Sequence, residues 1–208
     1  MAWRIPTDMS PRRSWVSAAF LAVLAVSRPS PADTVVIKRP GAHPHYAFEL
    51  EPRVLLGFID PPGAAHGDGF GVGFRGTVEL VDNGFIPSIN NTVGIGFGVD
   101  IVRYGRGRLR CTRRDPVDVC VAFDDDFSVT NVWLPVVMQW NFWLSRNWSV
   151  FGEPGLGLRL ELAEEADDEI VVDPFLFSAG GRFHFSDSAT LTLRVGYPTF
   201  SVGVSFLL

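Results

Sequence analysis

Residues 200–208, Phe-Ser-Val-Gly-Val-Ser-Phe-Leu-Leu, decide the fold. Successive side chains of an extended strand point to opposite faces. Phe200, Val202, Val204, Phe206 and Leu208 therefore share one face, and Ser201, Gly203 and Ser205 share the other. One face is wholly apolar, and the other is small and polar. The same two-sided pattern recurs along almost the whole chain after residue 45. Repeated strands of this kind mark a β-barrel that spans an outer membrane.

Upstream, the alternation predicts seven further strands. Strand one covers about 45–59, strand two 70–81, strand three 92–104 and strand four 129–145. Strands five to seven cover about 148–162, 173–185 and 190–197. The total is eight, the even number that single-chain outer-membrane barrels carry. The predicted fold is all-β, an eight-stranded antiparallel up-and-down transmembrane barrel. Connections after strands one, three and five are long or charged, and those after four and six are tight. Long outer loops and short periplasmic turns produce that alternation. The connection at 82–91 is long for a periplasmic turn, and 197–199 is short for an outer loop. Pro52, Pro135 and Pro154 fall inside strands, where proline removes a ladder donor, and are expected to mark bulges or strand ends.

Alternation alone leaves open which face points inward, because a soluble ligand-binding barrel shares it. Volume decides. An eight-stranded interior is barely wide enough for side chains, and the apolar face carries dozens of large ones, many of them Phe. The apolar face is thus expected to meet lipid, with aromatic girdles at Trp140, Phe142 and Trp148 and at Tyr104 and Tyr197. The lumen would then hold Glu49, Glu51, Arg53, Arg75, Glu79, Asp100, Glu153, Arg159, Glu161, Arg182 and Arg194. Buried charges persist when paired. Such a set reads either as a salt-bridged plug or as a narrow ion path.

The N-terminal region reads as an export signal. Arg4, Arg12 and Arg13 precede an apolar run from Trp15 to Val26, and Ser30 and Ala32 supply small residues for cleavage after Ala32. Residues 1–32 are assigned to a signal peptide, 33–44 to a periplasmic lead-in and 45–208 to the barrel domain. The formal charge is −5, and it falls to −8 when the four arginines and one aspartate of residues 1–32 are removed. That balance argues against a nucleic-acid partner. Cys111 and Cys120 lie in one polar segment of an exported chain, so a disulfide is expected between them, with free thiols or half a metal site as alternatives.

Asp82-Asn83-Gly84-Phe85, Ser88-Ile89-Asn90-Asn91 and Trp148-Ser149-Val150-Phe151-Gly152-Glu153, set in this strand pattern, carry a resemblance. Residues 45–208 resemble the small eight-stranded outer-membrane barrels of the OmpA/OmpX type, and more narrowly uncharacterised outer-membrane proteins of myxobacterial type. The resemblance implies residence in the bacterial outer membrane among lipids and lipopolysaccharide. It also implies insertion by the barrel-assembly machinery, a monomeric state and a structural or surface-interaction role. It implies neither an enzyme nor a cofactor.

Four features invite sharper chemistry. Gly71-Val-Gly-Phe-Arg-Gly76 matches G-x-G-x-x-G literally, but an alternating strand runs through it where dinucleotide binding needs a strand, a turn and a helix. His184-Phe185-Ser186 invites comparison with outer-membrane lipid A deacylases. A hydroxyl nucleophile needs an adjacent base and an orienting acid, and strand seven supplies no such acid. In loop 105–128, Arg106, Arg108, Arg110, Arg113 and Arg114 could contact lipopolysaccharide phosphates, since guanidinium matches phosphate geometry. The acids of 163–169 could instead hold a divalent cation, or the two loops could pair with each other. His43 and His45 flank Pro44 and could bind a metal weakly, but an unstructured lead-in is preferred, and no metal site is assigned.

Overall fold

The computed structural model describes residues 35–208, apart from 59, 108–109, 125–126 and 164–168. Eight strands close into one antiparallel barrel: β1 (Phe48–Gly57), β2 (Ala65–Val81), β3 (Asn91–Gly107), β6 (Val129–Trp143), β7 (Trp148–Ala163), β8 (Glu169–Ser186), β9 (Ala189–Tyr197) and β10 (Phe200–Leu207). Each strand pairs with its successor around the ring, and β10 returns to β1, with Leu50 opposite Phe206 and Val54 opposite Val202. Two short strands, β4 (Arg110–Arg114) and β5 (Cys120–Asp124), form a separate hairpin between β3 and β6. The predicted eight strands are all present, and the cysteine-bearing loop contains a hairpin that alternation did not reveal.

The period-2 pattern sorts side chains as expected. Along β6 the odd-numbered residues from Val129 to Trp143 are buried, and the even-numbered ones are exposed or half-exposed. Phe70, Val72 and Phe74 face outward on β2, while Arg75 and Thr77 are buried. The apolar face is the outer one on every strand of the ring.

The prolines behave differently from the expectation of bulges or strand ends. Each sits mid-strand, paired on one side, and the ladder on its other side skips two pairs and resumes in the same register. Pro52 faces Phe74 on β2, while the β1–β10 register passes from Leu50↔Phe206 to Arg53↔Gly203. Pro135 faces Gly157, while β3–β6 passes from Phe97↔Val136 to Asp100↔Trp133. Pro154 faces Phe177, while β6–β7 passes from Val137↔Gly155 to Trp140↔Gly152. A missing N–H costs its own ladder bonds, and the continuous pairing around it holds the strand in place.

The N-terminal segment is more than a lead-in. Val36 N–H donates to Leu144 O at 3.0 Å, Asn90 N–H donates to Ile37 O at 2.7 Å, and Val35 bridges Ser145. Val36 and Tyr46 pack with Trp143 and Leu207 into a buried cluster across the barrel end that also carries the start of β1 and the end of β10. This is called the terminal end below, and the opposite one the loop end. The long connection 82–90 takes part in the same packing: Asn90 N–H meets Ile37 O, and the Asp82 and Asn90 side chains meet His43 and His45.

Candidate functional site: the charged lumen and its two caps

The inward faces of the strands stack their charges in layers. Nearest the terminal end, the Arg182 guanidinium donates from Nη2 to both Glu49 oxygens at 3.0 Å and from Nη1 to Asn141 Oδ1 at 2.6 Å. Asn141 in turn donates to Thr92 Oγ1 at 3.2 Å.

The middle layer centres on Arg194. It meets Glu51 through Nη1 at 2.6 Å and Nη2 at 3.0 Å. It meets Glu153 through Nε at 2.8 Å and Nη2 at 3.1 Å. Forked guanidinium–carboxylate pairs of this kind are the strong ones. Glu153 also accepts from Arg75 at 3.1 Å, Gln139 at 2.8 Å and Ser178 at 2.8 Å. Next comes Arg53, whose Nε and Nη2 donate to Asp100 at 3.0 and 2.7 Å. A cavity of about 40 Å³ lies among Arg53, Arg75, Asp100, Glu153 and Arg194.

Nearest the loop end, Arg159 pairs with Glu161 and lies 3.4 Å from Asp173, which also accepts from the Trp133 indole N–H at 3.0 Å. The loop after β1 folds into this mouth, where Ala64 N–H donates to Glu161 at 2.9 Å.

Ten of the eleven residues read as lumen charges thus join ion pairs. Glu79 is half-buried at the terminal end and makes none of these pairs. Asp173 was missed for a physical reason. Between Gly155↔Leu176 and Gly157↔Asp173, two β8 residues, Pro174 and Phe175, oppose the single β7 residue Leu156. This bulge reverses the alternation. Beyond it, odd-numbered residues turn inward, and a strict period-2 reading of β8 points Asp173 the wrong way.

The lumen is not polar throughout. Leu55, Ala65, Val102, Tyr104, Phe127, Val129 and Trp133 form a buried apolar cluster at the loop end. Tyr104, expected in an outer aromatic girdle, is fully buried inside. Its even number on β3 already sets it on the inner face with Val102. Room for the ring comes from Gly57 and Gly69, where an added Cβ would lie 2.3 Å from the Tyr104 hydroxyl and 2.6 Å from its ring. Tyr197 faces outward. At the terminal end the aromatics form two groups: Trp140 lies 4.8 Å from Phe142 and 5.3 Å from Phe85, and Trp148 lies 5.1 Å from Phe183.

His184 is buried, and its Nε2 lies 2.9 Å from Ser149 Oγ. Ser186 is exposed and meets Ser188 instead. The His–Ser pair weighed from sequence is therefore not brought together. Gly71–Gly76 runs within β2, as the alternation requires.

Beneath the terminal end, the His43 ring stacks on Trp143, with centroids 5.3 Å apart and planes 17° from parallel. Its Nδ1 lies 2.5 Å from Asn90 Oδ1 and its Nε2 lies 3.1 Å from Asp82 Oδ1. His45 Nδ1 reaches the same Asp82 oxygen at 3.0 Å. Partial burial works against the Asp82 carboxylate, but the hydrogen bond and charge of His43, joined by His45, outweigh it and hold the carboxyl below its usual range.

Outside the barrel, Cys111 and Cys120 form a disulfide across the β4–β5 hairpin. Arg106 is exposed at the end of β3, Arg113 and Arg114 are exposed on β4, and Arg114 lies 3.2 Å from Asp118. The Arg110 backbone pairs with Asp124. Arg108, acids 164, 165, 167 and 168, and the signal segment lie outside the described residues. Replacing both cysteines with Ser is expected to loosen the hairpin by roughly 2–3 kcal/mol, the loop-closure entropy of a ring of this size. Limited proteolysis should then cut between 110 and 124 while the barrel band persists on a gel. A barrel that unfolds with the hairpin would contradict this.

No protein-family model and no curated protein matches this sequence. Among solved structures, the chain is similar to Ail, the attachment invasion locus protein of Yersinia pestis. The crystal structure of Ail in complex with the heparin analogue sucrose octasulfate aligns at 14% identity and TM-score 0.44, covering 77% of this chain and 96% of that one. Another crystal structure of Ail aligns at 13% identity and TM-score 0.43 over the same shares. The backbone structure of Ail in a phospholipid bilayer nanodisc aligns at 12% identity and TM-score 0.35, covering 76% and 99%.

Proposed function

We propose that this chain is an integral outer-membrane barrel with a sealed, ion-paired lumen, whose interactions are made by its outer loops. The observation that carries the reading is the inversion of the two faces. Strongly exposed apolar side chains, among them Phe70, Val72, Phe97, Leu193 and Val195, cover the wall while charges fill its interior. So large an apolar surface needs a covering, and a closed barrel is the sheet form that satisfies its backbone in lipid. On this reading the terminal end is periplasmic, and the β4–β5 hairpin is extracellular.

Exposed Arg106, Arg113 and Arg114 support contact with lipopolysaccharide phosphates, since planar guanidinium groups suit them. Assembly by the barrel machinery as a monomer, export through a signal cleaved after Ala32, a non-enzymatic role and kinship with myxobacterial-type proteins belong to the same proposal.

The test is fractionation of expressing cells, with gels of heated and unheated samples. The expected result is an outer-membrane band whose mobility shifts on boiling, and a soluble periplasmic protein would end the reading. Deleting 110–124 should preserve that shift and reduce binding to vesicles that contain lipopolysaccharide. The layered ion pairs and the apolar cap favour a plug over an ion path. In planar bilayers the protein is expected to show no discrete conductance steps, and steps that vanish in Arg53→Ala would reverse this choice.

A further inference from the structure

The geometry points to a metal site outside the lumen: we propose that His43, His45 and Asp82 bind one divalent transition-metal ion of the zinc type. Their three ligand atoms lie within 4.8 Å of one another. Both histidine nitrogens already converge on the same Asp82 oxygen, at 3.1 and 3.0 Å.

The site is built rather than incidental. The His43 side chain has no exposure, although Asp82 and His45 are open to solvent. Its ring is clamped between the stack on Trp143 and the Asn90 carboxamide. Asn90 is itself fixed, because its N–H donates to Ile37 O at 2.7 Å and its carbonyl accepts from Trp143 N–H at 3.0 Å. With Asn90 Oδ1 beside Nδ1, that nitrogen keeps its proton, and a metal at Nε2 takes the place of the proton shared with Asp82. An outer partner that sets the tautomer and the ring orientation is the usual company of a metal-bound histidine.

The donor set names the ion class. Two imidazole nitrogens and one carboxylate suit zinc, nickel or copper, whereas calcium and magnesium prefer all-oxygen sites. Three protein ligands leave one position for water on the exposed side. Bound there, the ion ties the segment 35–47 to the connection after β2, and so fastens the cap across the terminal end.

The test uses tag-free, full-length processed barrel in detergent, with zinc titrated calorimetrically and cobalt(II) as an absorbing probe of coordination. The expected result is saturable binding of one ion per chain, undisturbed by excess magnesium. His45 is exposed, so His45→Ala should keep the heat-shifted barrel band and lose saturable binding. Asn90→Ala should weaken binding by about tenfold, as loss of an orienting partner does. His66→Ala, at the loop end, should change nothing. Absence of saturable binding in the wild type, equal binding in His45→Ala, or displacement by magnesium would each overturn the proposal.

Discussion

Arg194→Met is expected to lower the stability of the folded barrel by about 3–5 kcal/mol, the cost of breaking a buried pair and stranding its partner charge. The residue is almost fully buried and holds Glu51 and Glu153 at once, so its removal leaves two buried carboxylates facing each other across the lumen. Arg75 remains beside Glu153, and Glu51 keeps a 3.3 Å contact with Ser205. Urea unfolding in vesicles, followed by the heat-dependent gel shift, would measure the loss. Neutralising Glu51 in Arg194→Met/Glu51→Gln should recover much of it, because Glu153 keeps Arg75 and an ion pair replaced as a whole is often neutral in stability. If the single variant is as stable as the wild type, the middle layer does not hold the barrel together.

The second large effect is expected on the outer wall. Leu193 lies at the middle of β9, exposed, with Val202 beside it on β10 and Gly181 on β8. Leu193→Arg should cost about 2–4 kcal/mol in a bilayer, where the side chain meets the midplane of the hydrocarbon. Tyr197→Arg, at the strand end, should cost at most about 1 kcal/mol, because the penalty fades toward the interface. The comparison tests the reading of the wall as lipid-facing. In a soluble barrel both exposed arginines would be tolerated alike, and equal unfolding midpoints for the two variants would refute a membrane-spanning wall.

Much of the lumen was legible in the sequence because period-2 alternation is a local property. Glu49, Glu51 and Arg53 on one strand must share a face wherever the strand goes, and so must Arg182 and His184. What alternation cannot supply is an account of events that shift or interrupt it. The bulge at Pro174 and Phe175 reverses the sides, and so Asp173 escaped notice. Nor does alternation rank inward residues by height. Alternation already turned Tyr104 and Trp133 inward, but that they pack as one apolar cap at the loop end follows from the glycines of β1 and β2 and from the level at which they sit. The pairing of charges is likewise non-local: Arg194 and Glu51 are separated by 143 positions and become partners only when β10 closes on β1.

The sequence by itself determined the strand count, the two-sided wall and, outside the bulged part of β8, which residues carry charge inward, since these follow from side-chain direction and from how little an eight-stranded interior can hold. Only the tertiary structure decided which charges meet, that apolar clusters form at both ends, and that His43, His45 and Asp82 converge. Each of those depends on ring closure and on the return of residues 35–47 across the terminal end, contacts between positions far apart in the chain that local periodicity does not encode.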